Sequence, residues 1–222
     1  MDFDLVFMFK AMAEAGTAIP YSLCIAFSAV AAGMVLGLPV ALVRFYRVPV
    51  IHTAAAAWIT VTKALPEILV YFILFVLLAQ ERSFPAALIT VIGITVSAGT
   101  ESSEMFRGAL ESIDKSQFDA ARSIGHGEAA VFFRIVLPQT VPVCVPVASG
   151  VVIHAIKALP VAVLIGLRDI LNTALGAATI NYRYLECYVA AALIFWAIFI
   201  VVERAFLIVE KRFRYNSPKG DN

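Results

Sequence analysis

The chain has 222 residues, of which 61% are hydrophobic and only 15% are charged, and its net charge is +1. A soluble domain of this length cannot hide so much apolar surface, because even a chain of about 300 residues buries only about 75% of its surface. This composition excludes a soluble enzyme and a disordered tail, and the small net charge argues against a nucleic-acid-binding protein. The remaining class is a helical membrane protein with several spans.

Five apolar stretches are long enough to cross a bilayer as helices. Crossing about 30 Å of hydrocarbon takes about 20 residues of α-helix. The predicted spans cover residues 17–43, 55–79, 85–107, 139–165 and 187–209. We therefore predict an all-α, polytopic membrane bundle of about five transmembrane helices, which forms a single domain over residues 1–222 and has its helical bundle at 17–212.

The distribution of lysine and arginine predicts the orientation of the chain in the membrane. An arrangement with the N-terminus outside and the C-terminus inside places eleven lysines and arginines on the inner side and four on the outer side. Positive charge favours the cytoplasmic side, so this orientation is preferred. We predict a surface segment at residues 1–14 and a cytoplasmic tail at residues 213–222.

The most polar internal segment lies between the third and fourth predicted spans. Residues 111–134 read ESIDKSQFDAARSIGHGEAAVFFR, a pattern that predicts two short helices around a break at Gly125. Ala120 and Ala121 have small side chains that another surface could approach closely. Pro138 marks the entry to the fourth span, so the predicted loop covers residues 111–138.

The spacing within this loop resembles the signature of the permeases of ATP-binding-cassette (ABC) importers. It runs Asp119-Ala120-Ala121, three residues, Gly125, nine residues, Ile135, one residue, and Leu137-Pro138. That family usually begins the motif with Glu-Ala-Ala, so Asp119 replaces a glutamate. The stretch from Glu104 to Leu110, together with Gln117, is similar to the polar amino-acid branch of the histidine, glutamine and arginine type. The resemblance extends over about residues 16–212.

The resemblance implies a fold like that of type I ABC importer permeases, in which the loop is a coupling helix. In the family, this helix docks into a groove on a separate ATPase subunit and transmits nucleotide-driven motion to the spans. The residues that the resemblance assigns to coupling are Gln117, Asp119, Ala120, Ala121, Arg122, Gly125, Ile135, Leu137 and Pro138. The implied partners are an ATPase dimer, a second permease subunit, an extracytoplasmic solute-binding protein, a small-molecule solute and the lipid of a prokaryotic inner membrane.

The chain is expected to be non-catalytic. It contains no G-x-x-x-x-G-K-[ST] stretch, the phosphate-binding loop of many ATPases. ATP and magnesium would therefore belong to the partner ATPase, and this chain would bind no cofactor. His52, His126 and His154 form no cluster with Asp or Cys at metal-ligand spacing, so no metal site is predicted.

The tetrapeptide Lys-Ala-Leu-Pro occurs twice within the predicted spans, at residues 63–66 and 157–160. Charges inside a membrane are costly and suggest function, and a proline in a span frees backbone carbonyls that can line a cavity. The candidate residues of a substrate pathway are Lys63, Pro66, Glu67, Thr100, Lys157 and Pro160. Lys63 and Glu67 are four residues apart, so they could pair with each other, or they could bind the carboxylate and ammonium groups of a solute.

Both tetrapeptides are less polar than the Arg-Gly-Thr-Pro and Lys-Asp-Thr-Ser that are usual in the resembled branch. The solute could therefore be a polar amino acid or a less polar molecule. Glu104 and Arg107 are three residues apart at the inner end of the third span, where we predict a structural ion pair.

Two other functions remain open from the sequence. The cluster of Lys63, Glu67 and Lys157 could serve an ion-coupled secondary transporter or a channel, although no inverted repeat is apparent. The loop at residues 111–138 could instead recruit a soluble partner to a membrane scaffold. No HExxH motif or nucleophile–base pair favours an intramembrane enzyme.

Overall fold

The computed structural model describes residues 3–78 and 84–215, apart from the side chains of residues 180, 214 and 215. Residue 79 of the second predicted span and residues 216–222 of the predicted tail lie outside the described residues. The α-helices are α1 (Leu5–Gly16), α2 (Ile19–Phe45), α3 (Ile51–Ala64), α4 (Glu67–Leu78), α5 (Ala86–Glu111), α6 (Lys115–Ser123), α7 (Glu128–Val131), α8 (Leu137–Ala158), α9 (Ile170–Asn181) and α10 (Tyr184–Tyr215). A π-helical turn at Phe132–Val136 precedes α8, and a 3₁₀ segment at Leu159–Ile165 follows it. The predicted all-α bundle is confirmed.

The predicted spans correspond to four long apolar helices and one bent pair. Within the described residues, α2, α5, α10 and the continuous run Glu128–Ile165 are long and apolar enough to cross a membrane. The second predicted span consists of α3 and α4, whose axes meet at an angle of 104°. Pro66 causes this break, because proline removes a helix hydrogen bond and holds the preceding residue, here Leu65, in an extended conformation.

Two glycines of α2 allow its backbone to pack directly on α5. A Cβ atom at Gly33 would lie 2.8 Å from Ala98 Cβ, and one at Gly37 would lie 2.7 Å from the carbonyl oxygen of Gly99. Real Cβ contacts are longer than this, so only glycine permits the observed approach. The contact fixes α5, which carries most of the polar residues described below.

The N-terminal helix α1 and helix α9 pack against each other and against α10. Helix α1 packs against α9 and α10, and its buried face consists of Met8, Ala11 and Ala15. The predicted surface segment at residues 1–14 is thus largely a helix that contributes to the core. The sequence analysis did not predict helix α9. Asp169 caps its N-terminus, where Oδ1 accepts a hydrogen bond of 2.8 Å from the backbone N–H of Asn172.

Candidate functional site

A polar cavity lies where the bent pair α3–α4 meets α5 and α8. Its volume is about 230 Å³, and its lining residues are Thr62, Lys63, Leu65, Glu67, Ser97, Thr100, Glu101 and His154. The break at Pro66 makes Glu67 the first residue of α4 and directs the chain across the cavity. Two carboxylates, an ammonium group and an imidazole therefore share one cavity inside an otherwise apolar bundle.

The imidazole of His154 lies between the two carboxylates. Its Nδ1 forms a hydrogen bond with Glu101, and its Nε2 lies 3.8 Å from Glu67 Oε2. The hydroxyl of Ser97 donates a 3.0 Å hydrogen bond to the other oxygen of Glu67. The side chain of His154 is 47% exposed, so this bridge between α4, α5 and α8 is open to an entering molecule.

A cluster of ion pairs lies beside the cavity, around Glu104 of α5. Three cationic side chains surround the carboxylate of Glu104, namely Arg44, Lys63 and Arg107. Arg107 Nη2 lies 3.0 Å from Glu104 Oε2, so the predicted pair is present as part of a larger network. Lys63 Nζ lies 3.8 Å from the same oxygen.

Lys63 faces Glu104 of α5, so the structure does not form the local Lys63–Glu67 pair that was one of the two possibilities left open by the sequence. The four-residue spacing brings two side chains together only within a continuous helix. The chain leaves the helix at Pro66, and Glu67 turns away with α4. The two side chains nevertheless line the same cavity, with Glu67 near His154 and Lys63 near Glu104.

A second, larger cavity adjoins the first along α5 and α8. Its volume is about 490 Å³, and its lining residues are Lys63, Glu101, Glu104, Met105, Gly108, Ala109, Val143, Val147, Gly150 and Val151. Lys63 and Glu101 belong to both cavities, and beyond Glu104 the second cavity has an apolar lining. Among the described side chains, no three of His, Cys, Asp or Glu are arranged to hold a metal ion.

Three of the six predicted pathway residues line the first cavity: Lys63, Glu67 and Thr100. The two prolines act on the backbone instead, because Pro66 breaks the second span and Pro160 is the second residue of the 3₁₀ segment after α8. Lys157 is not part of the lining of either cavity. Its Nζ lies 5.8 Å from the centre of the Phe199 ring of α10, so the structure does not bring it to Lys63 and Glu67.

The sequence analysis missed Ser97, Glu101 and His154 as cavity residues. A periodicity signal was available on α5, where Ser97, Thr100, Glu101 and Glu104 follow the i, i+3, i+4 and i+7 spacing of one helical face. The signal for His154 is weaker, because Lys157 is the one polar side chain among its neighbours three and four residues away on α8.

The loop between α5 and α8 contains the two short helices that the sequence predicts. Asp114 caps α6, where its Oδ1 accepts a 2.9 Å hydrogen bond from the backbone N–H of Ser116, which holds the pKa of the carboxyl below its ordinary value. Gly125, with φ +87°, ends this helix in the left-handed conformation that glycine adopts readily. Arg122 then joins α6 to α7 through two hydrogen bonds to Glu128, of 2.8 and 3.1 Å.

This loop has a small hydrophobic core of its own. Its buried members are Leu110, Phe118, Ala121, Val131 and Val136, and Leu42, Phe45, Ile113, Phe132 and Ile135 pack around them. Ala121 therefore faces the chain's own core and is only 3% exposed. The neighbouring Ala120 is exposed. The buried side chains of Phe118 and Ala121 therefore hold α6 in place while its opposite face remains exposed.

The predicted coupling residues divide into an exposed and a covered group. Gln117, Asp119, Ala120, Arg122, Gly125 and Pro138 are exposed, whereas Ala121 is buried and Ile135 and Leu137 are partly buried. Gln117 also accepts a 2.7 Å hydrogen bond from the side-chain amide of Gln139, which ties α6 to the start of α8. A surface that approaches the loop therefore meets the exposed group.

The chain matches a known membrane-protein family over most of its length. Residues 33–215 match the model of the family described as the binding-protein-dependent transport system inner membrane component. The chain is 28% identical over 202 residues to the probable amino-acid permease protein YxeN of Bacillus subtilis, covering 89% of this chain and 90% of that protein. It is 30% identical over 212 residues to the L-cystine transport system permease protein TcyL of the same organism, covering 90% and 87%.

Solved structures show the same fold. The structure titled "Crystal structure of an amino acid ABC transporter with histidines" aligns with a TM-score of 0.86 at 24% identity, covering 96% of this chain and 100% of that chain. The methionine ABC transporter MetNI in an inward-facing conformation aligns with a TM-score of 0.77 at 16% identity, covering 89% and 94%. The fold prediction of an importer permease is thus confirmed by both.

Proposed function

This chain belongs to the family of binding-protein-dependent transport system inner membrane components and is a non-catalytic permease subunit of an ABC importer, and from that premise we propose that its solute is an amino acid. Relatives that bear the names of amino-acid and L-cystine permeases support this proposal, since they match along nearly their whole length. Membership of this family argues against the two alternative functions, a secondary transporter and a membrane scaffold, and no observation favours either of them.

The observation that carries the proposal is that groups of both charges line one cavity. An amino acid has an ammonium group and a carboxylate a few ångströms apart, and a site for it needs both kinds of partner. Glu67 and Glu101, which both contact His154, present carboxylates to this cavity, and Lys63 presents an ammonium group to it. The hydroxyls of Thr62 and Thr100, which are 2.8 Å apart, supply further hydrogen-bonding groups in the same cavity.

His154 takes the place that the solute's ammonium group would occupy. In the structure its imidazole contacts both Glu67 and Glu101, which would otherwise face each other as like charges. A solute ammonium group can replace these contacts, because it is also a hydrogen-bond donor and carries positive charge. The side chain of His154 would then move out of the cavity as the solute enters.

We further propose that the loop at residues 111–138 couples this pathway to a separate ATPase. Its exposed outer face includes Ala120 and Arg122, and its inner face packs on Leu110 and Val136, at the ends of the spans that line the cavities. A rigid helix that is joined without slack to moving spans can transmit a displacement. ATP and magnesium belong to that ATPase, a second permease subunit completes the pathway, and a solute-binding protein delivers the solute. The loop and the C-terminus face the cytoplasm and the N-terminus faces outward.

Uptake into vesicles tests the solute assignment. The complete importer is reconstituted with its ATPase and binding protein, and ATP-dependent uptake of radiolabelled amino acids is measured for Glu67→Gln, Glu101→Gln and the unchanged protein. We expect each variant to raise the half-saturating concentration or lower the rate by about tenfold, because each removes a charged partner of the ammonium group. Glu111→Gln, which alters an exposed carboxylate on the same helix, serves as the matched control.

The ATPase activity of the same vesicles separates the two parts of the proposal. If uptake of every amino acid is unchanged in both cavity variants while ATP is hydrolysed, the cavity is not the solute site. If the unchanged complex takes up an amino acid without ATP, the coupling to an ATPase is wrong.

A further inference from the structure

The imidazole of His154 has a carboxylate opposite each of its two ring nitrogens. Nδ1 forms a hydrogen bond with Glu101 of α5, and Nε2 lies 3.8 Å from Oε2 of Glu67, the first residue of α4. The two carboxylates thus reach the ring from different helices and at different nitrogen atoms. The ring is also within reach of an entering molecule, since the side chain of His154 is about half exposed.

Only one protonation state of this ring suits both neighbours. A neutral imidazole carries a single N–H, so its other nitrogen would present a lone pair to a carboxylate. The imidazolium carries an N–H on each nitrogen and a positive charge, so it donates to Glu101 and attracts Glu67 at the same time. The geometry therefore requires a proton on the bridging ring if both carboxylates are ionised.

The cationic groups near the ring are engaged with other partners. Lys157 lies one turn further along α8, and its Nζ is 5.8 Å from the centre of the Phe199 ring of α10. Lys63 of α3 shares the cavity, and its Nζ lies 3.8 Å from Glu104. The remaining titratable groups on the surrounding helices bond elsewhere or are exposed: Tyr71 donates to the carbonyl of Ala158, Arg44 and Arg107 pair with Glu104, and Glu203 and Arg204 of α10 are exposed.

We propose that the site releases a proton from His154 when it binds the ammonium group of the solute. The ammonium group takes over the contacts with Glu67 and Glu101, and the imidazolium moves into the water of the pathway. An unperturbed histidine has a pKa of about 6.5, so at neutral pH the displaced ring gives its proton to water and becomes neutral. One positive charge enters the site as one proton leaves. The inference rests on the proposed function and specifies the protonation of its site.

Solute and proton compete for the same two carboxylates, so the affinity for the solute depends on pH. At acidic pH the displaced ring keeps its proton, and binding releases none. At higher pH each binding event releases nearly one proton, as long as the bridging ring is protonated beforehand, so a rise in pH favours binding. For a displaced ring that titrates at about pH 6.5, the dissociation constant should fall about eightfold from pH 6.0 to pH 7.5.

Isothermal titration calorimetry counts the protons that binding releases. The complex of permease and ATPase is purified in lipid nanodiscs without nucleotide and titrated with L-arginine, L-glutamine and L-methionine in turn. Each titration is repeated at the same pH in two buffers with different ionisation enthalpies, and the difference in heat gives the number of protons released per solute bound. For an amino acid that binds, we expect about 0.9 proton at pH 7.5 and about 0.1 proton at pH 5.5.

The variant His154→Gln tests whether this residue is the source of the proton. A glutamine amide can donate a hydrogen bond to a carboxylate but does not titrate, so the release of protons should fall to nearly zero. His126→Gln is the matched control, because His126 lies between α6 and α7 in the loop, and it should release as many protons as the unchanged protein. Release that persists in His154→Gln would assign the proton to another group and overturn the inference.

The pH profile of the unchanged protein is a second test, which does not depend on the folding of a variant. Equilibrium dialysis of the radiolabelled amino acid against the same nanodiscs gives the dissociation constant at each pH. A decrease of about eightfold from pH 6.0 to pH 7.5 is the expected result. A dissociation constant that stays constant over this range would contradict the competition between solute and proton.

Uptake by the complete importer distinguishes failure of this inference from failure of the proposed function. If one of the three amino acids is accumulated with ATP and its binding releases no proton, the proton exchange is wrong and the amino-acid importer stands. If none of the three is bound or accumulated while ATP is hydrolysed, the assignment of the solute is wrong, and the proton exchange is rejected with it.

Discussion

The ring of Tyr71 in α4 lies directly against Gly93 of α5. A Cβ atom at Gly93 would lie 2.5 Å from Cε1 of that ring, and Tyr71 is only 1% exposed. The hydroxyl of Tyr71 donates a 3.4 Å hydrogen bond to the carbonyl oxygen of Ala158, the last residue of α8. One side chain therefore connects the helix that begins after the break at Pro66 with the point where α8 gives way to the 3₁₀ segment.

Replacement of Gly93 by alanine should disturb this connection. The added methyl group meets the Tyr71 ring, which is enclosed and cannot move freely, so we expect a loss of about 1–3 kcal/mol in the free energy of unfolding. Thermal unfolding of the purified protein in mild detergent measures the effect. Gly176→Ala is the control, because nothing lies within 4 Å of a Cβ atom at that position of α9. Equal midpoints for the two variants would show that the Tyr71 contact is not tight.

Replacement of Glu104 by glutamine should destabilise the cluster of ion pairs beside the cavity. It leaves the partly buried Arg44 and Arg107 facing each other and Lys63 without its anionic partner, and we expect a loss of about 2 kcal/mol. Glu111→Gln removes only the exposed partner of Arg107 and should cost less than about 0.5 kcal/mol. Unfolding midpoints in detergent compare the two, and similar losses would mean that the Glu104 network has no special structural role.

Adjacent alanines of α6 should respond differently to substitution by arginine. Ala120→Arg places a bulky charge on the exposed face, and we expect about tenfold less ATPase to co-purify while α6 stays folded. Ala121→Arg forces a charge into the core formed with Phe118 and Val136, so the loop itself should lose its structure. Hydrogen exchange of the loop amides distinguishes the two effects. Normal ATPase recovery with Ala120→Arg would place the docking surface elsewhere.

The cap of α6 should depend on pH in the acidic range. The hydrogen bond from the backbone N–H of Ser116 lowers the pKa of Asp114 in the folded protein, so the ionised cap stabilises the helix fully above about pH 4, near the ordinary pKa of aspartate. This stabilisation is lost as the pH falls through the lowered pKa. Hydrogen exchange at Ser116 and Gln117, corrected for intrinsic rates, should therefore increase several-fold at acidic pH. Asp114→Asn retains a capping oxygen that does not titrate, and its exchange should lack this step.

Much of the fold could be predicted from the sequence because membrane spans have a strong local signal. A helix must satisfy its own backbone and cover a fixed thickness with apolar side chains, so length and composition locate α2, α5, α8 and α10. The break between α3 and α4 could also be predicted, because a proline such as Pro66 interrupts a helix. Helix α9 has no such signal, because it is short and its N-terminal cap, Asp169, lies in a loop.

The arrangement within the sites depends on contacts between distant parts of the chain. Lys63 and Glu67 have the spacing of a local pair, but the angle at Pro66 gives each a partner on another helix. His154 meets Glu101 only because α8 packs against α5. The direction in which Ala121 points is set by Leu110 and Val136, which no rule of spacing within a nine-residue helix can indicate.

The small core of the loop also has a consequence for biogenesis. Leu42 and Phe45 are at the end of the second helix, Leu110 is at the end of the fifth, and Val136 follows both helices of the loop. The ribosome must therefore complete residue 136, and the earlier spans must be inserted side by side, before α6 can adopt its shape. If the proposed ATPase docks on this shape, it would bind only chains whose N-terminal half is correctly inserted.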